Sequence, residues 1–124
     1  MNLLSVIESP LHPNFTALYA ELGLIETRVD SMRKAMKEAK RNPPDFVVAE
    51  FVYGWGNNYA GVNLSNLDVL LYALEKFAPD TRVIVFADKD ERPHVDRLLD
   101  IFPLHGVLVN PPREADMRAL LAGK

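Results

Sequence analysis

Acidic residues follow three of the apolar runs in this 124-residue chain, at positions where they could do chemistry together. They are Glu8 after Leu3–Ile7, Glu50 after Phe46–Ala49, and Asp88 after Val83–Ala87. If the runs are parallel strands, their carboxyl ends meet at one edge of a sheet and the three carboxylates lie close together. Carboxylates grouped in this way could accept a phosphoryl group or hold a divalent cation.

Two histidines, His12 and His94, are expected near the same edge, where imidazole and carboxylate groups together could bind a divalent metal. These residues show no ligand-like spacing on one element, so exposed histidines and no metal are the simpler expectation. We expect no cofactor either, because the segment Ser9–Pro13 contains no glycine to cradle the phosphates of a flavin or a nucleotide. His105 is expected at the opposite end of the sheet, in a structural role.

The composition predicts one globular domain spanning residues 1–124, with 48% hydrophobic and 25% charged residues and a formal net charge of −3. The absence of cysteine excludes disulfides, thiolate zinc sites and cysteine nucleophiles. We expect a cytoplasmic protein, since no run approaches the roughly 20 apolar residues of a membrane span and the N-terminus lacks a signal-peptide pattern. The single basic cluster is typical of the solvated face of a helix, so neither a membrane nor a nucleic acid is an expected partner. That cluster comprises Arg33, Lys34, Lys37, Lys40 and Arg41.

The pattern of apolar residues predicts five strands that alternate with five helices. Three of the runs lack period-two alternation, which is typical of strands covered on both faces. The predicted strands are Leu3–Ile7, Leu24–Val29 (the weakest, suited to an edge), Phe46–Ala49, Val83–Ala87 and Val107–Val109. Helix starts are expected at Asn14, at Asp30 or Ser31, at Ser65 with Asp68 as a capping box, at Pro93, and near Glu114. This βα alternation predicts a parallel sheet with helices on both faces.

One connection, Phe51–Asn66, is longer than strand-to-helix geometry needs and is rich in glycine, asparagine and aromatic residues. It could be a binding loop or lid, since Trp and Tyr are favoured interface anchors, or it could pack Trp55 as a plug over the strand ends. Both readings stay open. The candidate binding residues are Tyr53, Trp55, Asn57, Asn58 and Tyr59.

Four segments resemble the bacterial response-regulator receiver domains, in the order and at the spacing of that family. Pro44–Glu50 resembles the family's third strand with its Pro-Asp lead-in. The others are Val6–Pro10 at the end of the first strand, Pro79–Ala87 at the fourth and His105–Pro111 at the fifth. The resemblance implies a flavodoxin-like, doubly wound (βα)5 fold in three α/β/α layers, with strand order 2-1-3-4-5.

The resemblance also implies a vestigial phosphoacceptor pocket, because the residues that perform phosphoryl transfer in the family are replaced. Glu50 stands at the acceptor position, Ile7 and Glu8 at the acidic pair, Ala87 at the hydroxyl position, Asn110 with Pro111 at the Lys-Pro position, and Val107 at the switch aromatic. Glutamate is one methylene longer than aspartate, and a displacement of about 1 Å can cost on the order of 100-fold in rate. We therefore expect no catalysis and no aspartyl-phosphate chemistry. Glu50 could still imitate a phosphorylated state, or it could be a solvated carboxylate, perhaps paired with Lys89.

The function expected from this resemblance is that of a stand-alone, phosphorylation-independent pseudo-receiver in bacterial signalling or regulation, which acts by contact with a protein partner or as a homodimer. A second expected surface is the face formed by the fourth helix, fifth strand and fifth helix, which the family commonly uses for docking. Its candidate residues are Arg97, Leu104, Val107, Arg113 and Arg118. The alternative is a small-ligand-binding protein or an enzyme that uses the strand C-terminal edge and the Trp55 loop.

Overall fold

A computed structural model describes residues 1–8, 14–52 and 65–122 of the chain. It contains one sheet of five parallel strands, which are β1 (Asn2–Val6), β2 (Ile25–Val29), β3 (Phe46–Glu50), β4 (Arg82–Ala87) and β5 (Gly106–Val109). The strand order is β2-β1-β3-β4-β5, so the predicted flavodoxin-like fold is confirmed.

Five helices connect the strands: α1 (Thr16–Glu21), α2 (Met32–Arg41), α3 (Asp68–Phe77), α4 (Arg92–Val95) and α5 (Glu114–Ala122). A 3₁₀ helix, Asp96–Asp100, continues α4. Within the described ranges, no helix is long and apolar enough to cross a membrane.

Each face of the sheet has its own core, because successive side chains of a strand point to opposite sides. Val47 and Ala49 of β3 pack with α2, α3 and α4, whereas Phe46 and Val48 pack with α1 and α5. All four of these side chains are fully buried. The central strands are therefore covered on both faces, which is why their sequences show no alternation.

Short polar side chains fix the starts of the helices, as the sequence predicts. The Ser31 hydroxyl accepts a hydrogen bond from the Lys34 N–H at 3.2 Å at the start of α2, and Asn14 Oδ1 accepts one from the Thr16 N–H at 2.9 Å at the start of α1. Ser65 donates its N–H to Asp68 Oδ1 at 2.9 Å, which is one half of a capping box. The helix α3 begins at Asp68 itself, two residues after Asn66, where a capping box at Ser65 predicts the first helical residue.

Three side chains predicted to be in the core are partly exposed instead. The apolar run Val107–Val109 predicts a covered strand, but Val109 is 42% exposed because β5 has a neighbouring strand on one side only. Leu99 is 54% exposed because the chain after α4 winds with three residues per turn, which turns Val95 and Leu98 inward and leaves Leu99 outside. Phe77, at the end of α3, is 38% exposed.

The contrast between β3 and β5 gives a test of the architecture. Val47→Ala should lower the free energy of unfolding by roughly 1–3 kcal/mol, because it removes two buried methyl groups and leaves a cavity between two layers. Val109→Ala, the same change on the exposed edge, should cost less than about 0.5 kcal/mol. Chemical denaturation of both variants measures the difference, and equal losses would contradict the placement of β5 at the edge.

Candidate functional site

A cavity of about 240 Å³ lies at the carboxyl edge of the sheet. The parallel register creates it: Val6 of β1 pairs with Ala49 of β3, and Glu50 pairs with Phe86 of β4, so the residues that follow these strands arrive at one place. Its lining residues are Glu8, Glu50, Phe51, Val52, Asp88, Glu91 and Asn110. The structure thus brings together the three carboxylates that the sequence analysis grouped, and adds Glu91.

The only charged side chains among the described lining residues of this cavity are acidic. Four of its lining residues carry carboxyl groups, and none of the described lining residues is basic. Burial raises the pKa of Glu50, and the nearby charges of Asp88 and Glu8 raise that pKa further. The ionised form of Glu50 is therefore disfavoured in the folded protein, and an added anion would meet the same repulsion.

Asn66 holds the cavity together and was not identified from the sequence. Its Nδ2 group donates hydrogen bonds to Glu8 Oε1 at 3.0 Å and to the Glu50 carbonyl oxygen at 2.8 Å. Its Oδ1 accepts a hydrogen bond from the Val52 N–H at 2.7 Å. With only 5% of its surface exposed, Asn66 acts as a buried clamp between the ends of β1 and β3.

Asn110 lines the cavity without supplying a charge, and Ala87 does not line it. Asn110 donates its Nδ2 hydrogen to Asp88 Oδ1 at 2.8 Å and its backbone N–H to the Ala87 carbonyl oxygen at 2.8 Å. The methyl group of Ala87 is fully buried in the core beneath α2, α3 and α4. Pro111 follows Asn110 through a cis peptide bond. An amide therefore lies beside Asp88, at the position where the resemblance leads one to expect a lysine ammonium.

Ile7 does not line the acidic cavity, although the sequence analysis paired it with Glu8. Its backbone N–H bonds to the Val29 carbonyl oxygen at 2.8 Å, and its side chain faces a separate pocket between β1 and β2. That pocket, of about 310 Å³, is lined by Ile7, Arg28, Val29, Asp30 and Lys34. Glu8 alone represents the acidic pair in the cavity.

The structure describes some of the remaining candidates and leaves others outside. His94 is half-buried on α4, and His105 Nε2 is hydrogen-bonded to the Leu120 carbonyl oxygen at 2.7 Å at the opposite end of β5. Within residues 1–8, 14–52 and 65–122, no group of three or more His, Asp or Glu side chains is arranged to hold a metal ion. His12 and the loop candidates Tyr53, Trp55, Asn57, Asn58 and Tyr59 lie outside the described residues.

Four of the five candidate docking residues lie in or beside β5. Arg97 and Arg113 are exposed, while Leu104 and Val107 are half-buried against the core beneath α2, α3 and α4. Arg118 is directed toward α1. Its guanidinium forms ion pairs with Glu21 at the end of α1 and, at 3.5 Å, with Glu114. This residue therefore joins α5 to α1 and is not part of the face beside α4.

No protein-family profile and no curated protein sequence matches the chain. Solved structures do resemble it. The receiver domain of a Luxo repressor protein from Vibrio parahaemolyticus superposes with a TM-score of 0.75 at 16% identity, over 98% of this chain and 86% of that one. A response regulator receiver domain protein from Clostridium thermocellum gives a TM-score of 0.72 at 14% identity, over 98% and 91%. A response regulator from Thermotoga maritima gives 0.71 at 17% identity, over 98% and 94%.

These similarities extend over nearly the whole chain, although fewer than one residue in five is identical. They show that the chain has the fold of response-regulator receiver domains, as the sequence resemblance predicts. At such identities a shared fold does not carry activity with it, so the function has to be argued from the cavity.

The raised pKa of Glu50 gives a test of the electrostatics. Because the folded state disfavours the Glu50 carboxylate, its ionisation costs stability at neutral pH, and this cost disappears as the pH falls to the ordinary carboxyl range of about 4. Glu50→Gln should therefore raise the melting temperature at pH 7, by a few degrees at most because solvent screens this partly exposed group.

The gain from Glu50→Gln should shrink toward zero near pH 4, and melting curves across this range measure it. The exposed residue Glu75 on α3 provides the matched control, since Glu75→Gln should change little at either pH. A loss of stability in Glu50→Gln at pH 7 would contradict the repulsion described above.

Proposed function

We propose that this protein is a non-catalytic pseudo-receiver, which has the receiver fold and acts by contact with another protein without being phosphorylated. The observation that supports this proposal is the charge of the edge cavity. Four carboxyl groups line it, and no cation stands among its described lining residues.

Phosphoryl transfer depends on positioned cations that neutralise the charge of the transferring group. Two like charges about 4 Å apart in partly buried surroundings repel by roughly 4 kcal/mol, so each unneutralised carboxylate near the acceptor opposes the reaction. Asn110 brings a neutral amide to Asp88, and Ala87 brings no hydroxyl. The arrangement around Glu50 therefore favours neither the binding of a phosphoryl donor nor a stable acyl phosphate.

The clamp formed by Asn66 supports a fixed role for the edge instead of a switching one. The Asn66 amide already binds Glu8 and the end of β3, where a ligand of the carboxylates would otherwise act. A side chain that is 5% exposed and bonded on both of its polar atoms resists rearrangement. We infer that the protein presents one constant surface to its partner.

The face beside β5 and the Trp55 loop are the contact surfaces that the sequence suggests for a partner or a second copy. Arg97 and Arg113 are exposed beside β5, and Leu104 and Val107 lie behind them. The binding role of the Trp55 loop stays a prediction, because Trp55 lies outside the described residues. The alternative function, a small-molecule site, is less well supported in the acidic cavity, because its volume of about 240 Å³ is smaller than the roughly 300–1,000 Å³ of typical ligand pockets.

The proposal is tested by incubating the protein with acetyl phosphate and magnesium and measuring its intact mass. No covalent adduct should form even with magnesium present, because Ile7 supplies no second metal carboxylate, Asn110 no ammonium group and Ala87 no hydroxyl. An active receiver domain treated in parallel should gain one phosphoryl group. A stable phosphoryl adduct that maps to Glu50 or Glu8 would show that the proposal is wrong.

A further inference from the structure

Four cationic side chains lie together on the outer surface of α2 and at the end of α3. Arg33, Lys37 and Lys40 follow one another at i, i+4 and i+7, which places them in one stripe along α2 that spans about 10 Å. Ala35 and Ala39 of the same helix are buried, so the stripe faces away from the core. Lys76 of α3 extends it sideways, and all four residues are exposed.

Phe77 lies between two of these cations. The Lys40 Nζ atom is 5.3 Å and the Lys76 Nζ atom 5.5 Å from the centroid of its ring, within the range of cation–π contacts. The ring is 38% exposed, so it offers an apolar contact between two ammonium groups. Arg33, Lys37, Lys40, Lys76 and Phe77 are together called the α2–α3 basic surface.

The carboxylates nearest along α2 do not neutralise this surface. Asp30 pairs with Lys34 at 2.9 Å, and Glu38 pairs with Arg41 at 2.6 Å. Across residues 1–8, 14–52 and 65–122, no ion pair involves Arg33, Lys37, Lys40 or Lys76. A chain with a formal net charge of −3 thus carries a concentrated positive surface on α2 and α3.

We propose that the α2–α3 basic surface binds an acidic segment of the partner protein, with carboxylates at helical spacing against the α2 stripe and an apolar side chain on Phe77. This inference rests on the proposed function, since it assigns the surface through which the pseudo-receiver contacts its partner. The α2–α3 basic surface is a different face from the one beside β5.

Charge and size favour a protein segment over a nucleic acid or a membrane. At physiological ionic strength, charges are screened beyond about 8 Å, so a segment of two helical turns meets mainly the basic surface. A long polyanion such as a nucleic acid would extend beyond this surface and be repelled by the negatively charged parts of the protein. A membrane-binding helix needs a wide exposed apolar face, whereas the apolar face of α2 is turned into the core.

The probe for this proposal is a short alanine-based helical peptide with glutamates at i, i+4 and i+7 and a leucine beside them. We expect it to bind the full chain with an affinity that falls as salt rises, and to perturb the backbone amide resonances of α2 and the end of α3. The same peptide with glutamine in place of glutamate should bind at least tenfold more weakly.

Lys37→Glu combined with Lys40→Glu should weaken binding of the peptide by roughly tenfold or more. The matched control reverses two exposed cations elsewhere, Arg28→Glu with Lys89→Glu, and should change binding less than about threefold. If the charge reversals unfold α2, Lys37→Gln with Lys40→Gln provides the same test at lower electrostatic cost, with an expected loss of several-fold.

Equal losses in the two double variants, or resonance changes confined to other faces, would overturn the proposal. Tighter binding to a single-stranded oligonucleotide or to anionic vesicles than to the peptide would overturn it in favour of those partners. Self-association that the Lys37 and Lys40 changes abolish would assign the surface to a second copy and also overturn it. None of these outcomes depends on phosphorylation. A failed binding test would show that the α2–α3 basic surface is not the contact surface, whereas a phosphoryl adduct on Glu50 would show that the proposed function itself is wrong.

Discussion

Repulsion among carboxylates at one edge of a parallel sheet is the constraint on which the site depends. Because β3 is paired in parallel with β1 and with β4, the residues at or just beyond the ends of these strands, Glu8, Glu50 and Asp88, lie close together. Two buried or bridging amides offset part of this repulsion: Asn66 donates to Glu8, and Asn110 donates to Asp88. Amides supply hydrogen bonds but no positive charge. They therefore stabilise the carboxylates in place, but they do not make the edge favourable for binding a phosphoryl group.

The fold could be predicted from the sequence because its signals are local. Uninterrupted apolar runs indicate strands covered on both faces, and caps such as Ser31 mark where α2 begins. The errors arose where position in the sheet or helix type decides exposure. Val109 is exposed because β5 has a neighbour on one side only, and Leu99 because a 3₁₀ turn replaces the expected α-helix. Neither the edge nor the turn is visible in the local pattern.

The parts of the site that sequence reasoning missed depend on long-range contacts. Asn66 is 58 residues from Glu8, and Arg118 is 97 residues from Glu21, so no spacing rule connects either pair. The composition likewise gives a net charge of −3 without showing that the charges separate into an acidic edge and the α2–α3 basic surface. This separation gives the domain two chemically different surfaces: the carboxylates line a cavity, whereas the basic side chains are exposed on α2 and α3.

The most direct test of the central claim is a backbone amide spectrum of the protein recorded with magnesium and beryllofluoride, a stable mimic of a bound phosphoryl group. If the edge lacks the charges that hold such a group, the amide resonances of Glu8, Glu50, Asp88 and Asn110 should not shift, nor should those of β5. Saturable shifts at these positions, with slow exchange between two forms, would show that the edge still binds a phosphoryl group and would contradict the account.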